Sequence, residues 1–153
     1  MPTRLNKMSS PLLDKSLDFA TQIVIFYEEF SKSKKDTTIA KQLLRSATSI
    51  GANINEAVYG NSKADFISKL HISLKETGES IYWLTLLKRT HLIEYDFDKL
   101  LSLAEEIKRM LIASLNTAKE NSQKKQILSH IVFCESSTPA TTFPKYLFRS
   151  RIT

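Results

Sequence analysis

The stretch QLLRSATSIGANINEA, residues 42–57, decides the fold, because apolar residues recur through it at helical spacing despite many poor helix formers. A glycine inside a helix costs about 1 kcal/mol relative to alanine, and Gly51 stands here among serines, threonines and asparagines. The pattern nevertheless predicts an amphipathic helix over about residues 38–59, stopped by Gly60. Its apolar positions are Ile39, Leu43, Ala47, Ile50, Ile54 and Ala57.

A polar line follows the same helix about 100° from the apolar one. It consists of Gln42, Ser46, Ser49, Asn53 and Glu56. Buried polar side chains need hydrogen-bonding partners and can fix the register of packed elements. We therefore interpret this line as contacts between packed helices or subunits. Small residues such as Gly51, on the other flank, would let a neighbouring helix approach closely.

Three further segments show the same 3–4 spacing. The first helix is predicted from about Pro11 or Ser16 to Ser31, the third begins after a Ser62 cap with Asp65 three residues on, and the fourth begins after Asp96. The first carries two apolar stripes: Leu13, Leu17, Ala20, Val24, Tyr27 and Phe19, Ile23, Phe26, Phe30. The predicted core stripes of the third and fourth are Phe66, Leu70, Leu74, Thr77, Ile81, Leu84 and Leu100, Leu103, Ile107, Leu111, Ser114, Ala118.

Four long amphipathic helices with short links predict an all-α, antiparallel up-down-up-down four-helix bundle. Only 3 Gly and 4 Pro in 153 residues also disfavour an all-β fold with many tight turns. We divide the chain into an N-terminal arm (1–10), the bundle (11–120) and a basic, Ser/Thr/Pro-containing tail (121–153). The composition of the tail predicts weak order, and the rival interpretation is a segment that folds on a partner.

The patterns that would indicate catalysis or cofactor binding are missing from the sequence. No Glu-x-x-His pair, H-E-x-x-H motif, phosphate-binding glycine loop or G-x-S-x-G motif occurs, and Cys134 is the single cysteine. We therefore expect no enzyme, no metal and no cofactor. A small-molecule enzyme using Glu56 or Glu76 is the disfavoured alternative. With neither a secretory signal nor an apolar run long enough to span a bilayer, we expect a cytoplasmic protein without a membrane role.

A second line on the third helix suggests self-association. It consists of Ile72, Glu76, Glu79, Trp83 and Leu86, roughly opposite the predicted core stripe. Apolar residues on two faces of a helix indicate double burial or an exposed sticky surface. Arg45 is expected to meet Glu76 or Glu79, within one subunit or across an interface. The alternative is a set of scattered surface apolar residues, which are common.

The net charge of +6 is mostly a property of the tail, since residues 1–120 hold 17 Lys and Arg against 15 Asp and Glu. One basic cluster remains in the bundle, because an up-down order brings the first and third loops to one end. Its members are Lys32, Lys34, Lys35, Lys41, Lys88 and Arg89. The cluster is a nucleic-acid candidate, and oligomerisation would repeat it. A solvated loop end that only keeps the protein soluble is the alternative.

The chain resembles the four helix bundle protein family, also called ribosomal-RNA intervening-sequence proteins, over about residues 12–120. The similarity rests on motifs that agree in order and spacing: Gln42-Leu43-Leu44-Arg45-Ser46, Ser49-Ile50-Gly51-Ala52-Asn53-Ile54, Glu56-Ala57, Gly60-x-Ser62-Lys63-x-Asp65-Phe66, Leu74-Lys75-Glu76 and Tyr82-Trp83-Leu84. Many members have Glu-Gly in place of Glu56-Ala57, and often Pro in place of Gly51. The tail has no family counterpart.

The resemblance implies an antiparallel four-helix bundle that assembles as a homopentamer and has no established enzymatic activity. At fold level it extends to accessory proteins of diversity-generating retroelements, which partner a reverse transcriptase and nucleic acid. Our first hypothesis is therefore a non-enzymatic homo-oligomer that binds nucleic acid, structured RNA before DNA, through repeated basic patches. The alternative is an assembly scaffold or protein-partner adaptor whose charge is incidental.

Overall fold

The computed structural model describes residues 10–33 and 35–136, without the side chains of 122 and 125–136. Within these residues the chain forms four α-helices: α1 (Pro11–Lys32), α2 (Thr38–Val58), α3 (Lys63–Thr90) and α4 (Phe97–Ser136). The described part of the chain contains no strand. The all-α class and the place of each helix are confirmed, including the helix predicted from the glycine-containing stretch.

The helix ends follow local rules. Pro11 occupies the first turn of α1, where its missing N–H removes no helical bond. Ser62 caps α3, because its Oγ accepts a hydrogen bond of 3.1 Å from the backbone N–H of Asp65. α3 ends at His91, which adopts the left-handed conformation with φ 49°. A side chain there costs roughly 1–2 kcal/mol that glycine would avoid.

One hydrophobic core is built from all four helices, which makes the fold a four-helix bundle. α1 contributes Phe19, Ile23, Phe26 and Phe30, all fully buried. α2 contributes six buried apolar residues, and α4 contributes a stripe that runs from Phe97 to Ala118. The predicted core of α2 is correct apart from Ile39, which is half-buried while its neighbour Ala40 is fully buried.

Contacts between two helix pairs run in opposite chain directions. Ser46 meets Ser80 while Glu56 meets Lys69, so α2 and α3 are antiparallel. α1 and α4 show the same relation, because Lys15 Nζ lies 3.0 Å from Glu106 Oε1 and the Phe26 and Phe97 rings are 5.5 Å apart. The up-down-up-down order of the whole bundle stays a prediction.

Two predicted faces differ from the observed ones. Of the two α1 stripes the phenylalanine-rich one is fully buried, whereas Leu17 and Val24 of the other are exposed and its remaining members are half-buried. On α3 the buried face is rotated toward hydroxyl side chains: Ser73 and Ser80 are fully buried, while Leu74 and Ile81 are half-buried. Spacing alone could not separate these faces, because both lines of each helix have the same period.

α4 is longer than the sequence pattern predicted. The apolar pattern ends near Glu120, yet the helix continues to Ser136. The physical reason is that no proline or glycine lies between Phe97 and Pro139 to interrupt α4. The division into a bundle (11–120) and a weakly ordered tail (121–153) stays a prediction. Ala118 closes the first compact unit of the chain, and the helical residues from Lys119 belong to a second. The N-terminal arm up to residue 9 and residues 137–153 lie outside the described residues.

Candidate nucleic-acid interface

The basic candidates flank two loops that touch. Lys32 ends α1, Lys41 lies in the first turn of α2, and Lys88 and Arg89 lie in the last turn of α3. Lys35, in the first loop, donates a hydrogen bond to the backbone carbonyl of Leu92, in the loop between α3 and α4. The structure therefore joins the two loops as the bundle topology predicted. Lys34 lies outside the described residues.

We call the described cations Lys32, Lys35, Lys41, Lys88 and Arg89 the basic end. All five side chains are exposed, so none loses hydration to the core. Carboxylates lie among them, and Lys88 forms an ion pair with Asp98. Another carboxylate, that of Asp36, accepts bonds from Thr38 through both its hydroxyl and its backbone N–H, and these bonds lower the pKa of Asp36. The basic end is thus a mixed surface on which the five cations lie among carboxylates.

A surface pocket of about 390 Å³ lies next to the basic end, at the junction of α3 and α4. Lys88 and Glu94 line it together with aromatic rings from the start of α4. One of these rings belongs to Tyr95, which packs against Phe26 at 4.9 Å and Phe97 at 5.4 Å. Burial, then the charges of Glu29 and Asp96, raises the pKa of the Tyr95 phenol, so it stays a neutral hydrogen-bonding group at neutral pH.

The predicted interface residues of α2 make contacts within the chain. Half-buried Asn53 donates through Nδ2 to the Ser49 carbonyl at 2.9 Å and to Ser49 Oγ at 3.1 Å. Glu56 is exposed and pairs with Lys69 of α3 at 2.5 Å, a hydrogen bond that raises the pKa of Lys69. Arg45 is exposed. These contacts occupy the side chains inside one subunit, and a subunit-interface role for them stays a prediction.

The predicted interface residues of α3 form a half-buried line with Ile72 more exposed. Trp83 donates its indole N–H to Glu79 Oε1 at 3.1 Å, and its ring meets the exposed ring of Tyr82 edge to face. Burial, then the charge of Glu79, raises the pKa of Glu76, while the charge of Arg45 acts in the opposite direction with less effect. The charge of Arg45 therefore acts on Glu76 within one chain, whereas a direct contact between the two side chains stays a prediction.

Leu86, the last member of this line, is half-buried.

None of the described side chains of His, Cys, Asp and Glu form a group of three or more that could hold a metal ion. Among the described helices, none combines the length and apolar character that a bilayer crossing requires.

Sequence reasoning missed two groups of residues. The first lies in the buried hydroxyls between α2 and α3, which we call the α2–α3 seam: Ser46, Ser73, Thr77 and Ser80. Ser46 was assigned to the polar packing line of α2 and Thr77 to the core of α3, whereas Ser73 and Ser80 were not predicted. Its signal was the 3–4 spacing of small polar residues along α3, which matches the spacing of the apolar line. The second is the Tyr95 pocket, whose parts are joined by loop geometry and carry no motif.

Comparison with known proteins agrees with the fold. The chain is similar to a crystal structure described as a protein with unknown function from the S23 ribosomal protein family of Bacteroides thetaiotaomicron VPI-5482. The two are 46% identical with a TM-score of 0.65, over 68% of this chain and 97% of the other. No curated protein matches the chain. A family model described as 23S rRNA-intervening sequence protein matches residues 10–113. The chain therefore belongs to the 23S rRNA-intervening sequence protein family.

Proposed function

We propose that this protein is a non-enzymatic, cytoplasmic helical bundle that binds structured RNA through the basic end. The observation that carries the proposal is the hydrogen bond from Lys35 to the Leu92 carbonyl, which holds together the two loops that the five cations flank. Five exposed cations on adjoining segments suit the phosphate backbone, since phosphate contacts supply most of the affinity of non-specific nucleic-acid binding. The name of the family adds support, because it refers to 23S ribosomal RNA.

The proposal includes self-association, which would repeat the basic end several times in one particle. Repetition matters because the basic end is small and partly neutralised by Asp98. Linked sites raise the overall affinity by factors of about 10²–10⁴ without new contacts, provided that one RNA can reach them together. The resemblance described above implies five copies.

The direct test is a fluorescence-anisotropy titration of a labelled stem-loop RNA at 50 and 200 mM salt. The variant Lys32→Gln/Lys41→Gln/Arg89→Gln removes three cations from the basic end. In the unmodified protein these three side chains form no ion pair or hydrogen bond on which the fold would depend, so the bundle should stay intact. Each lost phosphate contact should reduce the salt slope by about 0.7–0.9. We expect weaker binding and a slope reduced by about two.

The matched control is Lys63→Gln/Lys75→Gln/Arg109→Gln, which removes the same charge from exposed positions outside the two loops and the helix turns that flank them. This control should bind nearly as well as the unmodified protein. If both triple variants lose the same affinity, attraction is diffuse and the basic end is not the site. Absence of any binding at 50 mM salt, with no salt slope, overturns the proposal.

A second candidate function, an assembly scaffold or protein-partner adaptor, is favoured by a different surface. Leu17, Val24 and Ile25 of α1 are 65%, 40% and 50% exposed, and we call them the outer face of α1. Leu17 also borders an apolar groove of about 430 Å³ between α1 and α2. Light scattering at micromolar concentration decides whether copies associate: a monomer contradicts this candidate and also removes the repetition that the first one needs.

A further inference from the structure

The Tyr95 pocket has the size of a small-ligand site and lies beside the basic end. Its volume of about 390 Å³ falls in the range of roughly 300–1,000 Å³ typical of such sites. The lining residues are Lys88, His91, Ile93, Glu94, Tyr95 and Phe97. They come from the last turn of α3, the loop after it and the start of α4, so the pocket continues the surface that carries Lys88 and Arg89.

The aromatic wall of the pocket is held in place from behind. Tyr95 packs edge to face on Phe26, whose ring in turn meets buried Phe97 at 5.5 Å. The backbone N–H of Phe97 donates to the Tyr95 carbonyl at 3.0 Å and fixes the loop at the same point. A half-buried ring anchored in this way keeps its orientation when a ligand arrives. Nucleobases bind such side chains by stacking on the ring, whatever the base.

The charges around the pocket favour a neutral ligand over a free anion. Lys88 is already paired with Asp98, and Glu94 adds a carboxylate to the lining. A phosphate in the pocket would meet this carboxylate, whereas a nucleobase is uncharged and has hydrogen-bonding edges. His91 and Glu94 supply polar groups for such edges. Phosphates are better accommodated outside the pocket, near exposed Arg89.

We propose that the Tyr95 pocket receives one unpaired nucleobase of a bound RNA, stacked on the Tyr95 ring. This inference rests on the proposed function, because the RNA backbone is held by the basic end. The inference narrows the kind of RNA that the protein binds, because this RNA must have a bulge or loop from which one base can be displaced. Unpaired bases of this kind are the usual target of sequence-reading RNA-binding proteins.

The test uses two hairpin RNAs of equal length, one fully paired and one with a single bulged 2-aminopurine, whose fluorescence falls when it stacks. The unmodified protein should bind the bulged hairpin at least about fivefold more tightly than the paired one. Binding should also quench the fluorescence of the bulged 2-aminopurine. Tyr95→Leu keeps an apolar side chain without a ring and should lose both the preference and the quenching. Tyr95→Phe keeps the ring and should retain them.

Tyr95→Leu also loses contacts with the core, so the unmodified protein provides a second measurement. Labelled with fluorotyrosine, it gives a ¹⁹F signal for Tyr95 that Tyr95→Phe identifies by its disappearance. This signal should shift when the bulged hairpin is added and stay in place with the paired hairpin. A shift that is the same for both RNAs overturns the pocket.

The outcomes separate the two proposals. If neither RNA binds at 50 mM salt, the proposed function and the pocket both fail. If both hairpins bind equally and Tyr95→Leu changes neither affinity nor quenching, the basic end binds RNA and the pocket does not hold a base. Preference for the bulged RNA that disappears in Tyr95→Leu, and stays in Tyr95→Phe, supports the pocket.

Discussion

The α2–α3 seam and the outer face of α1 reverse the usual distribution of side chains. In the seam four hydroxyl residues are almost completely buried, whereas on the outer face leucine, valine and isoleucine are exposed to solvent. Each seam hydroxyl has a partner: Ser73 Oγ donates to the Ile50 carbonyl across the helix pair at 3.0 Å, and Ser80 Oγ lies 2.8 Å from Ser46 Oγ. No described buried side-chain polar atom lacks a hydrogen bond.

The difference teaches that burial in this bundle depends on side-chain size at a contact as well as on hydrophobicity. Small side chains let two helices approach closely, and a bonded hydroxyl costs little when it is buried. Removing both partners of such a bond can be nearly neutral, whereas adding volume cannot. The outer face shows the opposite case, since large apolar side chains stay exposed where the single chain does not cover them.

The largest effect is expected from filling the seam. Ser80→Leu would force three additional carbon atoms between α2 and α3, and overpacking of this kind typically costs about 1–3 kcal/mol. We expect the free energy of unfolding, measured by urea denaturation, to fall by about 2 kcal/mol. Ser68→Leu is the matched control, because Ser68 is exposed on the same helix and leucine is the better helix former. Equal effects of the two variants would mean that the seam is not tightly packed.

A smaller effect is expected at the two helical glycines. A Cβ atom added at Gly78 meets nothing within 4 Å, so Gly78→Ala should stabilise the protein by about 0.5–1 kcal/mol through helix propensity. At Gly51 the added atom would lie 3.1 Å from Ser16 Oγ of α1. Gly51→Ala should therefore gain less, and Ser16→Ala should restore the gain in the double variant. Thermal unfolding of the four variants measures the difference; equal gains at both glycines would show that α1 and α2 are loosely packed.

A pH-dependent effect is expected beside the seam, at Glu76. Because burial and Glu79 raise its pKa, the folded chain binds the proton of Glu76 more tightly than the unfolded chain. Stability therefore falls as pH rises from the ordinary Glu pKa, about 4.3, through the raised value. Glu76→Gln should be more stable than the unmodified protein by about 0.5 kcal/mol at pH 7, with the difference vanishing near pH 4.

The control for this prediction is Glu28→Gln, which removes a carboxylate at an exposed position of α1 and so measures the general effect of that change. Thermal melts between pH 4 and pH 8 provide the measurement for all three proteins. A stability difference between Glu76→Gln and the unmodified protein that grows toward acid pH would reverse the sign and contradict the assigned shift.

The sequence was sufficient for the helices and most of the apolar core, because apolar spacing and caps such as Ser62 act over a few residues. It was insufficient where two lines of one helix have the same period. On α3 the choice between Leu74 and Ser73 depends on how closely α2 approaches, and that distance is a property of the pair. α4 continues past Glu120, where the apolar pattern ends, because no proline or glycine between Phe97 and Pro139 interrupts it.

The candidate site, too, was predictable from the sequence only in part. The meeting of the first and third loops followed from an up-down order, and the Lys35–Leu92 contact agrees with it. The Tyr95 pocket could not be derived, since it depends on the left-handed turn at His91 and on rings from α1 and α4. A histidine in place of the usual glycine at a helix C-terminus is a weak signal that a loop has a special conformation.

The smallest effect on stability is expected from Leu17→Lys on the outer face of α1. Leucine and lysine have similar helix propensity, and Leu17 loses little burial because it is already 65% exposed. The free energy of unfolding of the dilute chain should change by less than about 0.5 kcal/mol, in contrast to Ser80→Leu.

A charge on this face should nevertheless reduce association if copies pack through it, since an unpaired buried lysine is costly. Light scattering of Leu17→Lys and of Thr21→Lys, an exposed control on the same helix, compares the masses. A loss of unfolding free energy well above this limit in dilute Leu17→Lys would mean that Leu17 is covered, and the contrast with the seam would no longer hold.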